Sequence, residues 1–134
     1  MSPWSAPPPA SEGKLATLVA EAPSALPTAY VEHLRESNVG EGELGIEPGW
    51  VSIWPAEAVW KQNEAYGIAK NVPGRLGFGS SGGEILAFDV RGTQPWPIVI
   101  VPFVPMHPSE IVPIARSFEA LRRAFGVSLE ESAE

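Results

Sequence analysis

Leu76-Gly77-Phe78-Gly79-Ser80-Ser81-Gly82-Gly83-Glu84-Ile85-Leu86-Ala87-Phe88-Asp89-Val90, followed after a turn-rich link by Pro97-Ile98-Val99-Ile100-Val101-Pro102-Phe103-Val104, decides the fold of this chain. Leu86, Phe88 and Val90 alternate with Ile85, Ala87 and Asp89, so both faces of that segment are mostly apolar. Such a pattern predicts a strand covered on both sides until its end. Ile98 to Val101 is β-branched throughout and predicts a central strand. Leu76 to Gly79 supplies a shorter neighbour, and the links Ser80–Gly83 and Arg91–Pro95 are short enough for antiparallel hairpins. A meander is expected.

Upstream, Trp50-Val51-Ser52-Ile53-Trp54 is short and β-favouring, with Pro48-Gly49 before it as a turn. Pro55 marks a helix start, with Ala56, Val59, Trp60 and Asn63 on one face to about Gly67; residues 68–74 read as loop. Further back, Ser11 can cap a helix whose stripe is Leu15, Leu18, Val19 and Ala22, closed by Pro23 and Pro27. Pro27 fits the start of a second helix burying Tyr30, Val31 and Leu34 and ending over Asn38–Gly42. Downstream, Ile111, Ile114, Ala115, Phe118, Leu121 and Phe125 recur at helical spacing, with Pro113 in the first turn, Gly126 at the C-cap, and Arg122 and Arg123 at the end the dipole favours. Runs of like elements, rather than βαβ alternation, predict an α+β fold with a largely antiparallel or mixed sheet packed by helices. The expected organisation is a flexible Pro-rich arm over 1–10, one domain over 11–126 and an acidic tail over 127–134.

Bulk composition limits what this domain can do. Its 134 residues suffice for one core without staples. With 44% hydrophobic and 19% charged residues it is composed like a globular protein. The absence of cysteine leaves no disulfide framework and no thiolate chemistry, which suits a reducing compartment. Met1 to Pro9 lacks the basic and apolar parts of a signal peptide, and no run reaches membrane-span length, so a cytoplasmic location is expected. Nine Lys and Arg against 16 Asp and Glu give a net charge of −7, which repels phosphate backbones and argues against direct nucleic-acid binding. Residues 12–47 carry seven Glu against Lys14 and Arg35, and Glu130, Glu131 and Glu134 follow in the tail. An acidic face of this kind speeds encounter with a basic protein, although net charge also serves solubility.

Two catalytic patterns occur in the glycine-rich loop and neither has its context. Gly77-Phe78-Gly79-Ser80-Ser81-Gly82 spells the dinucleotide fingerprint, which works only where a helix N-terminus follows and aims its amides at the pyrophosphate. Gly79-Ser80-Ser81-Gly82-Gly83 spells a nucleophile elbow around Ser81, which also needs a helix after it. Glu84 to Phe88 reads as strand, so the glycines are expected to serve a tight turn. His33 and His107 lie far apart with no paired ligand motif, and His33 is expected on a helix surface. Asp89 is expected to cap the Val90-Arg91-Gly92 turn, and Asn63 to bond to backbone in the interior. The residues therefore call for no catalytic group, no metal and no cofactor.

Trp50, Trp54, Trp60 and Trp96 can be core fillers or a binding surface. Trp54 and Trp60 are assigned to the core, while Trp50 and Trp96 stay open. With Glu41, Glu43, Glu47 and Glu84 as acidic contacts, Trp50 and Trp96 complete the candidate partner-binding set.

Taken in order, several segments resemble the SMI1/KNR4 (SUKH) superfamily. Leu26-Pro27-Thr28-Ala29-Tyr30 with Leu34 and Asn38 looks like its opening, and Ala56-Glu57-Ala58-Val59 with Asn63 and Tyr66 is similar to its middle helix. Leu76-Gly77-Phe78-Gly79-Ser80, Gly82-Gly83-Glu84 and Ala87-Phe88-Asp89 look like its glycine turn and Phe-Asp strand, and Ile114-Ala115-Arg116-Ser117-Phe118 with Leu121 resembles its closing helix. Val39, where a glycine is usual, and Ser81, where Asp is frequent, depart from the pattern. The resemblance runs from about Ser11 to Gly126. It implies an α+β fold, no shared catalytic residues, and relatives that act as bacterial immunity proteins binding polymorphic toxins, often nucleases, or as regulatory and scaffolding proteins. The expected partner is a protein, a basic toxin domain being the leading case.

Overall fold

The computed structural model describes residues 4–5 (backbone only), 11–22, 25–36 and 40–127. Asn38, Val39 and Pro23 lie outside the described residues, as do most of the expected arm and the tail beyond Val127.

Among the described residues seven strands form one sheet in sequence order, every neighbour antiparallel: β1 (Trp4–Ser5), β2 (Gly40–Glu43), β3 (Trp50–Ile53), β4 (Arg75–Ser81), β5 (Glu84–Asp89), β6 (Ile98–Pro102) and β7 (Val112–Ala115). The α+β architecture with an antiparallel sheet is thus as expected. Ile85 to Phe88 and Ile98 to Val101 are all buried, as two apolar faces on one strand require. Among the described residues five helices accompany this sheet: α1 (Glu12–Glu21), α2 (Thr28–Glu36), α3 (Val59–Ala65), α4 (Ile68–Asn71) and α5 (Phe118–Arg122), with α1 packed on α2, α3 and the segment before it. A 3-10 turn at Ala56–Ala58 leads into α3.

One face of the sheet holds a cluster of aromatic rings. Tyr30 of α2 stands 5.7, 5.2 and 5.3 Å from Phe78, Phe88 and Phe118, each edge-on, while Phe78 stacks on Phe88 at 4.5 Å. Edge-to-face and offset-stacked pairs are the arrangements the ring quadrupole favours. The opposite face is covered over β4 and β5 by α3, α4 and Trp54. A Cβ on Gly77 would fall 2.7 Å from Ile68 and 3.1 Å from Trp54, so only a glycine lets α4 lie this close. At Gly79 a Cβ would fall 2.7 Å from the carbonyl oxygen of Ser52, and β3 could not approach β4.

The fingerprint glycines thus serve strand and helix packing. Gly82 and Gly83 make the turn between β4 and β5, so strand follows the turn as predicted.

Asn63 completes the pairing of β4 where β3 runs out. Its Nδ2 donates to the carbonyl of Gly77 at 2.9 Å and its Oδ1 accepts from the Gly77 amide at 2.8 Å, so one side chain stands in for a strand neighbour. The interior backbone role expected of Asn63 is therefore present.

Three expectations need correction. The helix expected over 111–126 is a strand, β7, followed by the single short helix α5. Pro113 and its β-branched neighbours suit an edge strand, and Ser117, in extended geometry, caps α5 by accepting from the Ala120 amide at 3.1 Å. Gly40 to Glu43 is a strand rather than a helix end, and residues 68–71 form a helical turn rather than a loop. His33 is buried, not on the surface, because α5 and Phe125 fold over that side of α2, placing Phe125 5.3 Å and Phe118 5.8 Å from the imidazole.

Candidate partner-binding surface

The hairpin of β2 and β3 carries most of the candidate residues. Its turn is set by Gly49, whose amide donates to Ile46 and whose carbonyl accepts from Leu44. Gly49 has a φ of 86°, a conformation disfavoured for other residues. From there the register pairs Glu43 with Trp50, Gly42 with Val51, Glu41 with Ser52 and Gly40 with Ile53. Side chains alternate across a strand, so Val51 and Ile53 point into the core and are buried, while Glu41, Glu43, Trp50 and Ser52 share the other face. Trp50 is 47% exposed.

Further along the same face of the chain comes Trp54, buried beneath Tyr66, and Tyr66 meets Phe103 edge-on at 4.8 Å. The surface therefore runs from carboxylates at one border, across an exposed indole and a serine, to a half-exposed tyrosine. Tyr66 and Phe103 were not among the candidate partner-binding residues read from sequence. Tyr66 follows the last residue of α3, and only the folding of the 102–106 segment against it places Phe103 there.

Glu47 lies in the hairpin turn, exposed and next to this face. Glu84 does not join it. Ser52 pairs with Ser80 and Ser80 with Ile85, so Ile85 shares the face of Trp50 and the adjacent Glu84 points to the other. Trp96 is a correction: it is 5% exposed, its indole donates to the Gly92 carbonyl at 3.1 Å, and its ring packs beside Phe88. A core indole with a satisfied N–H offers no contact surface. Trp54 is buried as assigned, and Trp60 is partly buried with its N–H donated to the Leu18 carbonyl at 3.0 Å.

Charge compensation separates these acids from the others. Glu12 and Glu32 pair with Arg35, Glu57 with Lys14, Glu36 with Arg122, Glu119 with Arg123, and Asp89 with Arg91. Among the described residues, no ion pair involves Glu41, Glu43 or Glu47. Asp89 accepts from the Arg91 amide at 3.2 Å and from its guanidinium at 2.8 Å, which holds the carboxyl below its usual range and makes the expected turn cap.

A groove of about 480 Å³ lies elsewhere, between α1 and α3, floored by Leu18, Ala56 and Trp60 and bridged at its rim by the Lys14–Glu57 pair. No group of three or more metal-ligating side chains gathers among the described residues. No helix among the described residues is long and apolar enough to cross a membrane. The model of the SMI1 / KNR4 family (SUKH-1) matches residues 9–123, while no curated protein matches the chain.

Proposed function

Because the chain belongs to the SMI1/KNR4 family (SUKH-1), we propose that it is a non-catalytic protein-binding domain, acting as an immunity protein that neutralises a basic toxin by direct contact. One observation carries the surface assignment. Glu41, Glu43 and Trp50 stand together on an exposed sheet face, with Glu47 beside them and no cation of the described chain paired to any of the three glutamates. Uncompensated carboxylates attract a cationic partner over distances of about 8–10 Å at physiological salt. An exposed indole supplies the large rigid area typical of interface hot spots. Binding of this kind blocks a toxin by covering its working surface, and needs no chemistry from the immunity protein.

Capture of partners on tagged protein from native lysate at moderate salt tests this. The expected result is one basic protein in near-stoichiometric amount, released at high salt and no longer captured by the E41K/E43K double variant. E84K, on the opposite face, is expected to retain it. Expression of the captured protein alone should arrest growth, and co-expression of this chain should restore it. Retention by E41K/E43K refutes the surface. A captured protein harmless to cells refutes the toxin and leaves a scaffolding or regulatory module.

A further inference from the structure

We propose that Tyr66 is a second anchor of the partner surface, so that one basic protein is held by two aromatic side chains, Trp50 and Tyr66, on a single face of the domain. The inference rests on the reading that this face binds a basic protein, and adds a residue that sets how long the complex lasts.

Among the described residues the exposed large hydrophobic side chains are Val19, Val104, Val112 and two aromatics, Trp50 and Tyr66. The sheet register puts both aromatics on one face. Trp50 and Ser52 share a side of β3, Ser52 pairs with Ser80, and Ser80 with Ile85. Ala87, two residues from Ile85 and on the same side of β5, pairs with Gly77. A Cβ on Gly77 would lie 3.1 Å from the Trp54 indole, so that ring covers the same side, and Tyr66 stands 6.0 Å from it. Four residues separate Trp50 from Trp54, about 13 Å of extended chain. A standard interface of about 800 Å² per partner is roughly 30 Å across. One partner can therefore cover both rings.

Tyr66 is fixed in place before any partner arrives. Its amide donates to the Gln62 carbonyl at 3.0 Å, and its ring is braced edge-on by Phe103 at 4.8 Å and by Trp54 on another side. A ring already held loses little rotamer freedom on binding. Trp60 and Trp96 donate their N–H groups inward, to the carbonyls of Leu18 and Gly92. Among the described residues no hydrogen bond takes up the Trp50 N–H or the Tyr66 hydroxyl. Each of these two rings thus offers apolar area together with a polar group, the combination that makes Trp and Tyr frequent at interfaces.

Charge selects the occupant. Among the described residues no cation pairs with Glu41, Glu43 or Glu47, and a second copy of this chain, with its net charge of −7, would bring the same acids. A basic protein is attracted instead. The two parts of the face then act differently. The carboxylates speed encounter and lose their effect in salt, whereas the neutral ring of Tyr66 slows dissociation at any salt.

The probe is the basic protein captured by the wild-type chain, purified and titrated against the full-length chain and its variants at low and high salt. Tyr66→Ala should speed dissociation at least about ten-fold at both salts and leave association unchanged (Tyr66→Leu serves if that variant does not fold). E41K/E43K should instead slow association, most strongly at low salt. Tyr66→Phe, which keeps the ring, and Val19→Ala, on α1, should stay within about five-fold of wild type. In cells, a photoreactive benzoylphenylalanine in place of Tyr66 should cross-link the same protein as one in place of Trp50, and one in place of Val19 should not. Dissociation from Tyr66→Ala within about two-fold of wild type, or no cross-link from position 66, overturns the anchor. That failure leaves the surface standing if E41K/E43K still loses the captured protein. Retention by E41K/E43K, or capture of nothing by the wild type, removes the surface and the anchor with it. A wild-type dimer that Tyr66→Ala dissolves overturns the choice of a basic partner for this ring.

Discussion

His33 makes the stability of the fold depend on acid. The imidazole is buried between α2 and α5 against Phe118 and Phe125, with Arg122 and Glu36 the charged groups near it. Burial, reinforced by the Arg122 guanidinium and partly opposed by the Glu36 carboxylate, lowers its pKa to about 4 from an unfolded value near 6.5. Between those values the unfolded chain binds a proton that the folded chain refuses. The contribution of neutral His33 is complete above pH 6.5, and stability falls as the pH drops toward 4. At pH 5 the unfolded imidazole is almost fully protonated and the folded one about a tenth protonated, a difference of about 2 kcal/mol. Urea unfolding at pH 7, 6 and 5, with His33→Leu as the reference, isolates that amount from the carboxylates that both proteins share. The wild type should lose about 2 kcal/mol more than the variant between pH 7 and pH 5. Parallel profiles, or a His33 imidazole titrating near pH 6.5 by NMR (assigned with His107→Asn), refute the reasoning.

The core makes three further predictions. Gly79→Ala should cost about 1–3 kcal/mol, because its Cβ meets the Ser52 carbonyl, whereas Gly83→Ala, with open space around it, should cost under about 0.5 kcal/mol; denaturant midpoints compare them. Tyr30→Phe should hold or raise the melting temperature, since the Tyr30 hydroxyl is buried without a hydrogen-bond partner among the described residues and its removal relieves a desolvation cost of about 1–3 kcal/mol. Trp96→Ala should destabilise by about 3–5 kcal/mol and Trp50→Ala by under about 1 kcal/mol, a contrast that chemical denaturation reads directly.

The strands β5 and β6 were legible because β5 is mostly apolar on both faces and β6 is β-branched from Ile98 to Val101. The links beside them are too short for a helix, and the short Leu76–Gly79 segment follows as their neighbour. Asn63 was legible for a related reason, since a polar amide on an apolar stripe must find backbone partners. The region after Ile111 was ambiguous because Ile111, Ile114, Ala115 and Phe118 satisfy helical spacing while Ile111-Val112-Pro113-Ile114 equally suits a strand. Proline is accepted both in a first helical turn and in an edge strand, so Pro113 could not decide between them. Long-range pairing with Val99 and Ile100 settled it, and no local window contains that information. His33 had a readable signal, three residues after Tyr30 and thus on the same helical stripe, but what covers it comes from α5, 85 residues later. For the binding face, the acids and Trp50 were identifiable by type. That Trp96 belongs to the core and Glu84 to the other face follows from packing against Phe88 and from register, neither of which composition records.

The pairing of residues 43–45 with 124–126 closes the chain like a clasp on a bracelet. Every other pairing in the sheet joins strands consecutive in strand order, with α1 and α2 between β1 and β2, and α3 and α4 between β3 and β4. Among the backbone pairings of the described residues, the clasp joins residues about 80 positions apart. Its opening requires only a few backbone bonds to break, which marks the β2 border as an early site of hydrogen exchange within the domain. A partner that grips Glu43 would hold the clasp shut, so complex formation should slow exchange at Gly45 and Gly126 more than at the central strands.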